Sequence, residues 1–347
     1  MLKAESLLCP RPEGLYCPPG DFFIDPVRPV ARAVITHGHA DHARAGHGLV
    51  LTTAATADIM GVRYGEDFAG SVQALAYGET INRDGVEVCL VPAGHILGSA
   101  QVVVRWKGMS IVVSGDYKRR RDPTCTAFEP VLCDVFVSEA TFGLPVFRNP
   151  PDTDEIGKVL KSVEQFPGRT HLVGAYALGK AQRIVCLLRE AGYDRTIYVH
   201  GAMERLNALY ERHGVALGPL APATADGGPD SDKGDLAGEI VIAPPSAIAD
   251  RWARRFADPV SAFASGWMRV RARARQGGVE LPLIISDHAD WDELTETVAE
   301  LHPEQLWITH GREDALKRWA NLQGIQAKAL SLVGYEDEDA DAALGAG

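Results

Sequence analysis

Ala33-Val34-Ile35-Thr36-His37-Gly38-His39-Ala40-Asp41-His42 is the stretch on which the fold of this chain turns. The apolar run Ala33-Val34-Ile35 reads as a buried strand. The six residues from His37 to His42 place three imidazoles and a carboxylate on the loop that leaves it. Neutral imidazole and carboxylate are the ligands expected for zinc, manganese or iron. Gly38 and Ala40 are small, which lets the backbone fold closely around an ion. A chance match to this six-residue pattern is on the order of 10⁻³ or less, so a polar turn with accidental histidines is the weaker explanation.

Four more sites follow the same scheme, each where an apolar run ends. Val91-Pro92-Ala93-Gly94-His95 and Ile308-Thr309-His310-Gly311 each offer an imidazole. Val113-Ser114-Gly115-Asp116 offers a carboxylate suited to bridging two ions, and Val137-Ser138-Glu139 a second carboxylate. Taken singly, each reads as an ordinary structural or turn residue. Together they gain weight, because strand exits in stacked α/β sheets converge on one rim. The histidines at 47, 171, 200, 213 and 302 lack this setting and read as structural.

Around these motifs the chain has two textures. Up to about residue 140 it shows short β-branched runs: 30–36, 86–91, 101–106, 111–114 and 135–138. From about residue 153 helical and strand patterns alternate: helices 155–165, 180–191 and 203–212, strands 171–175, 196–199 and 240–243. That alternation predicts βαβ units and a parallel sheet. A last α/β run comprises strand 283–286, helix 291–301, strand 305–309 and helix 314–322. The length of 347 residues allows one large domain or two ordinary ones, and 46% hydrophobic residues supply a sizeable core. No apolar window is long enough for a membrane span, and the first residues lack a secretion signature. Six cysteines without a C-x-x-C pair read as reduced packing thiols, and the expected location is cytoplasmic.

The net charge of −11 argues against a protein that coats duplex DNA nonspecifically. The charge is uneven. The tail 336–341 holds five acids, and residues 224–239 read as an exposed loop rich in Gly and Asp. Residues 116–121 are strongly basic, and seven arginines against one acid fall between Arg251 and Arg275. Local basic patches in an acidic chain suit a cleft that attracts an anion.

His37-x-His39-x-Asp41-His42, His95 and Asp116 resemble the metallo-β-lactamase fold. More specifically, the chain resembles the β-CASP branch of nucleases. The motif A acid of that branch is matched by Glu139 in Ser138-Glu139-Ala140-Thr141-Phe142. Its motif B histidine is matched by His288 in Ser286-Asp287-His288-Ala289-Asp290, and its motif C histidine by His310. Its cap segment resembles Ala175-Tyr176-Ala177-Leu178-Gly179-Lys180-Ala181-Gln182, and Ser265-Gly266-Trp267 is similar to DNA-processing members. Within the branch the chain looks most like the bacterial ligase-associated DNA exonuclease group, whose members are manganese-dependent single-strand DNA nucleases. The histidine at motif C is a departure toward the RNA-processing members of the branch.

The resemblance implies an αββα metallo-β-lactamase domain from residues 1–143 and 283–347, with an α/β β-CASP cap, 144–282, inserted between them. It implies two divalent metal ions, manganese or zinc. His37, His39 and His95 would hold one; Asp41, His42 and His310 the other; Asp116 would bridge. The implied chemistry is hydroxide attack on a phosphodiester of single-stranded DNA in DNA repair, endonucleolytic or exonucleolytic, with Asp41 essential. His288 would serve as general acid, oriented by Glu139. Gly179 and Lys180, at a helix start, would approach a phosphate. Tyr176 and Trp267 would stack on bases. A DNA ligase and a helicase of the same pathway are the implied partners. The alternatives are an RNA-processing β-CASP ribonuclease, a thioester or lactam hydrolase of the same fold, and a scaffold without metals. The cap and the Glu139/His288 pair speak against the hydrolase, and the full ligand set against the scaffold.

Overall fold

The computed structural model describes residues 2–223, 236–270, 272, 275, 278–330 and 332. The acidic tail and most of the 224–239 loop lie outside the described residues, as do Arg271 and Arg273 of the arginine-rich stretch. The described residues divide into two compact units, one formed by residues up to 148 and from 288 to 332, the other by 149–287.

The first unit holds a six-stranded and a seven-stranded sheet. The six-stranded one runs in chain order through β1 (Cys9–Arg11), β2 (Gly14–Cys17), β3 (Phe22–Ile24), β4 (Arg32–Val34), β5 (His47–Thr52) and β6 (Ala69–Ala74). The other contains β7 (Thr80–Arg83), β8 (Val86–Pro92), β9 (Ala100–Trp106), β10 (Met109–Val113) and β11 (Val135–Ala140). The last two strands among the described residues, β18 (Gln305–Gly311) and β19 (Gln326–Ala329), complete it. Its order is β19-β18-β11-β10-β9-β8-β7.

Strand alternation explains why these runs are apolar at nearly every position. Side chains i and i+2 share a face, so a strand buried on both sides needs apolar residues at both parities. Val88 and Leu90 of β8, Val102 and Val104 of β9, and Ile111 and Val113 of β10 join Leu15, Phe22, Ile24 and Val34 in the core between the sheets. The intervening Cys89, Val103 and Val112 pack instead with Leu294, Val298 and Leu316 of two helices. On the far face of the first sheet, Ala33, Ile35 and Val50 meet Met60 of helix α1 (Ala54–Tyr64). The unit is therefore layered helix–sheet–sheet–helix, the αββα sandwich.

In the second unit every pairing is parallel, in the order β14-β13-β15-β12-β16-β17. These strands are β12 (His171–Gly174), β13 (Ile197–Val199), β14 (Leu220–Pro222), β15 (Ile240–Ala243), β16 (Val260–Ala264) and β17 (Leu281–Leu283). Helices α2 (Asp152–Gln165), α3 (Lys180–Glu190), α4 (Glu204–Arg212) and the short α5 (Pro245–Ala249) alternate with them, as the sequence texture predicts.

The divide falls five residues later than expected at each end. Residues 144–148 turn back on the first unit, where Phe147 O accepts from Trp291 N (2.9 Å) and its ring lies 5.0 Å from that of Phe142. The strand expected at 283–286 ends at Leu283. Ile284 N donates to Glu155 Oε2 (2.9 Å), and Ser286 O is taken by Arg183, so side chains replace the ladder. Among the described residues no helix is long and apolar enough to cross a membrane. None of the six cysteines forms a disulfide, and burial raises the thiols of Cys17 and Cys133 to about 12, consistent with packing groups.

Candidate metal centre

Five strand ends bring the polar residues together. The His37–His42 loop leaves β4, His95 follows β8, Asp116 follows β10, Glu139 sits near the end of β11 and His310 near the end of β18. His288 stands three residues before helix α6 (Trp291–Leu301), which with α7 (Glu313–Leu322) covers the second sheet. β8 and β10 each pair antiparallel with β9, and β10, β11 and β18 are mutually parallel, so their C-terminal ends share one edge. A side chain at Gly115, where φ is 57°, would put its Cβ 2.8 Å from Thr36, so only glycine lets Asp116 come this near the His37 loop. The smallness of Gly38 has a different cause from the one expected: a Cβ there would lie 2.5 Å from Ile59 Cγ2, so α1 rather than an ion demands it.

Asp116 is the hub. Its Oδ2 lies 3.4 Å from His37 Nε2, 3.5 Å from His42 Nε2, 3.8 Å from His95 Nε2 and 3.9 Å from His288 Nδ1. Its Oδ1 lies 3.3 Å from His310 Nε2. His39 Nδ1 is 3.0 Å from His95 Nε2, and Asp41 Oδ2 is 3.5 Å from His42 Nε2. Four overlapping sets have donor atoms within 4.8 Å of one another: His37/His39/His95/Asp116, His37/Asp41/His42, His42/Asp116/His310 and Asp116/Glu139/His288. The seven sequence-predicted ligands thus meet in one cluster, with the Glu139/His288 pair beside them.

The histidines are oriented from behind. Thr36 Oγ1 donates to Asp25 Oδ2 (2.6 Å), so its single proton is committed and it must accept from His37 Nδ1 (3.0 Å). That leaves a lone pair on His37 Nε2, a buried atom without a hydrogen-bond partner. Thr309 repeats the device: its Oγ1 donates to Ser138 O (3.3 Å) and accepts from His310 Nδ1 (2.9 Å). His42 Nδ1 donates to Asp25 Oδ2 (2.7 Å), turning its Nε2 toward Asp116. Histidines whose second nitrogen is tied to an oxygen are the usual metal-binding arrangement. With imidazoles and carboxylates as the only donors, and His37 Nε2 orphaned among them, the cluster fits divalent cations.

Electrostatics agree. Burial, helped by His42, pushes His37 well below its ordinary value and keeps it neutral. Burial opposes a charge on His42 as well, but Asp116, then Asp41 and Asp25, outweigh it and raise that imidazole to about 10. Burial would raise Asp116, yet the imidazoles around it, His42 foremost, hold its carboxyl well below the usual range. His310 is shifted upward: burial opposes its charge, but its bond to Asp116 and the charge of that carboxylate together outweigh it.

Asp25, Thr36 and Thr309 hold histidines of the cluster, and sequence reasoning does not single them out. Both threonines carry a signal, since Ile-Thr-His occurs at 35–37 and again at 308–310. Asp25 carries none beyond an aspartate after an apolar strand; its φ of 45° and its burial appear only in the fold.

Tyr176, Gly179, Lys180 and Trp267 belong to the second unit. The phosphate cradle expected at Gly179-Lys180 is occupied from within the chain. Gly179 N donates to Gln182 Oε1 (2.9 Å), while the fully buried Lys180 Nζ lies 3.1 Å from Asp287 Oδ2 and 3.4 Å from Ile285 O. Trp267 is buried after Ser265, whose Oγ accepts its amide (3.2 Å), and Tyr176 is half-buried. His47 and His171 lie outside the cluster, their rings bonded to Val30 N and Ser162 Oγ.

No family model matches the chain. Over 324 residues, 91% of this chain, it is 28% identical to a protein of Opitutus terrae named probable DNA ligase, of which it spans 30%. It is 29% identical over 222 residues to a ribonuclease of Thermus thermophilus, an alignment covering 55% of this chain and 51% of the relative. The chain therefore spans from under a third to about half the length of these relatives. Among solved structures, a protein of unknown function from Enterococcus faecalis superposes with a TM-score of 0.56 at 14% identity, covering 88% of this chain and 80% of that one, a likeness of fold alone. The αββα unit with histidines and aspartates at its strand exits defines a metallo-β-lactamase-fold protein. With Glu139, His288, His310 and an α/β unit inserted between the first two, the chain is similar to the β-CASP branch of that fold.

Proposed function

We propose that this protein is a metal-dependent phosphodiesterase that cleaves single-stranded DNA. The observation that carries the reading is a single buried carboxylate, Asp116, with five imidazoles from four separate segments within 3.9 Å and the Glu139–His288 pair alongside. His37, His39 and His95 would hold one cation; Asp41, His42 and His310 a second; Asp116 faces both sets. Bound cations neutralise the phosphodiester's charge and bring the pKa of water toward about 7.

The chain's own residues supply the rest. Glu139 Oε2 lies 2.9 Å from His288 Nδ1 and its Oε1 accepts Tyr117 N (2.8 Å), so the imidazole is held at Nδ1, and its Nε2 would carry a proton to the departing oxygen. Thioester or lactam hydrolysis needs no such pair. Among the four substrate candidates Tyr176 alone is not buried, and it would stack on a base. The relative named probable DNA ligase, aligned along 91% of this chain, supports DNA as substrate and a ligase as partner in repair. The ribonuclease relative and His310 support RNA as the second reading.

The test is metal-free protein titrated separately with manganese and zinc against 5′- and 3′-labelled DNA and RNA. We expect cleavage only with added metal, single strands cut faster than blunt duplex, and DNA ahead of RNA. Equal rates on a matched RNA would favour the ribonuclease, and no cleavage of either with either metal would end the phosphodiesterase reading.

A further inference from the structure

We infer that Glu293, a residue outside the cluster, is a positioning residue that sets where His288 stands relative to Asp116. The inference rests on the general-acid role proposed for His288 and extends it to the element that aims it. Asp116 and His288 open two separate segments, the loop 116–121 and the stretch 288–290 that leads into α6. Nothing in the sequence keeps those segments in register. Glu293, on the first turn of α6 and 4% exposed, does so.

One of its oxygens, Oε1, accepts from two consecutive amides of the loop, Arg119 N (2.9 Å) and Arg120 N (2.7 Å). The other, Oε2, accepts from Asp290 N (3.1 Å). Arg120 closes the clamp from the loop side, its Nη2 lying 2.6 Å from Asp290 Oδ2. Within this frame Ala289 N donates to Tyr117 O (2.6 Å), and Glu139 joins Tyr117 N to His288 Nδ1. Residues 117 and 289 are thus locked at neighbouring levels, and one residue away on each side stand Asp116 and His288, 3.9 Å apart.

A carboxylate is required because the three amides are donors, as is the Arg120 guanidinium, whose Nε lies 3.8 Å from Oε2. Glutamine has one acceptor oxygen, so its NH₂ must face either the loop amides or Asp290 N. Glu293→Gln therefore releases one side of the clamp while keeping size and helix propensity. Misplacement of a reacting group by about 1 Å costs about 10²-fold. With Glu139 still holding the imidazole, we expect a loss of about 10-fold or more, confined to the step that needs His288.

The experiment compares wild type, Glu293→Gln, Glu293→Asp, His288→Ala and Glu300→Gln on a labelled single-stranded oligonucleotide and on a nitrophenyl phosphodiester. Metal content and melting temperature are measured alongside. Glu300 lies on the same helix and pairs with Arg119 at an exposed end, so Glu300→Gln should match wild type. Glu293→Gln should lose kcat on the oligonucleotide by about 10-fold or more, with KM and metal content unchanged. On the nitrophenyl substrate, whose leaving group needs little protonation, it should recover most of its rate, as His288→Ala should. Glu293→Asp, which keeps the carboxylate, should restore part of the oligonucleotide rate. Equal losses of Glu293→Gln on both substrates, a wild-type rate on the oligonucleotide, or a loss that tracks melting temperature or metal content would each overturn the inference. Failure of the nitrophenyl substrate to rescue His288→Ala would instead refute the acid role and remove the inference with it.

Discussion

Replacing Asp25 by asparagine tests how far the orientation of the histidines, rather than their mere presence, makes the site. Asp25 accepts from Thr36 N (2.8 Å), Thr36 Oγ1 (2.6 Å) and His42 Nδ1 (2.7 Å). Asparagine retains an oxygen for the first and turns an NH₂ toward the other two. The hydroxyl of Thr36 must then rotate and can no longer be relied on to accept from His37 Nδ1. His42 Nδ1, facing a donor, becomes an acceptor and moves its proton to Nε2, the nitrogen aimed at Asp116. One substitution therefore unsettles a ligand in each candidate set. Loss of an outer partner of this kind typically weakens metal binding about 10- to 100-fold, or about 1.4–2.7 kcal/mol. Asp25→Ala should be milder than Asp25→Asn, because a water in the vacated space can accept from His42 where an amide cannot. The assay is competition for manganese and zinc against a chromophoric chelator, with activity followed across the same titration. Wild-type affinity in Asp25→Asn, or a ranking with alanine worse than asparagine, would refute the tautomer argument.

His288→Ala should keep both ions and lose about 10²–10⁴-fold of turnover, while His310→Ala should lose occupancy of one position; metal analysis beside single-turnover rates separates them. This comparison also decides whether the Asp116/Glu139/His288 set is itself a metal site, since loss of an ion in His288→Ala would say so. In the metal-free protein His42 is raised from 6.5 to about 10, so the stability its charge contributes is complete below 6.5 and disappears as pH rises through about 10. Melting temperatures without metal should fall across that window, and metal uptake near neutral pH should release a proton, measurable by calorimetry in buffers of different ionisation enthalpy. Arg251 and Arg254, both exposed, lie one turn apart on a 3₁₀ helix and have no carboxylate partner among the described residues. Replacing both by alanine should weaken single-strand binding and lower the salt slope by about 0.7 for each phosphate no longer neutralised, while nitrophenyl diester turnover stays unchanged.

The ligand-bearing loops are legible in the sequence because chemistry and local structure coincide in them: an apolar strand, a stop, and a metal-binding side chain. β8, β10 and β11 emerge within a few residues of their true bounds for the same reason, their apolar runs being continuous. Strands at the margins do not. β6, Ala-Gly-Ser-Val-Gln-Ala, is mostly exposed and lacks any apolar period, and it is a strand because it pairs with β5 along five residues. Lys180 shows the opposite failure. Its place after a glycine at a helix start suggests an anion site, but only the fold brings Asp287, more than one hundred residues on, to its Nζ. Glu293 is invisible to sequence reasoning because its partners are mostly backbone amides, which every residue but proline has and no sequence displays; Asp25 is invisible because only the fold brings Thr36 and His42 to it.

Those two residues share a plan with Glu139. Strands that end at a site leave amides without ladder partners, and a buried amide must find an acceptor. Each of the three carboxylates gives one oxygen to such an amide: Asp25 to Thr36, Glu139 to Tyr117, Glu293 to Arg119 and Arg120. Each turns its other oxygen to the group whose position matters: His42, His288 or the cap of α6. Backbone and functional side chain are thereby held at the two ends of one rigid carboxylate. Converting any of the three to its amide should accordingly be more damaging to turnover than its small change in shape suggests, since one oxygen cannot serve both ends. The same substitution at Glu300, whose carboxylate meets only a guanidinium at an exposed helix end, should cost almost nothing. A set of amide variants in which Glu300→Gln proved as harmful as Glu139→Gln would show that charge at this end of the fold matters, and not the two-ended geometry.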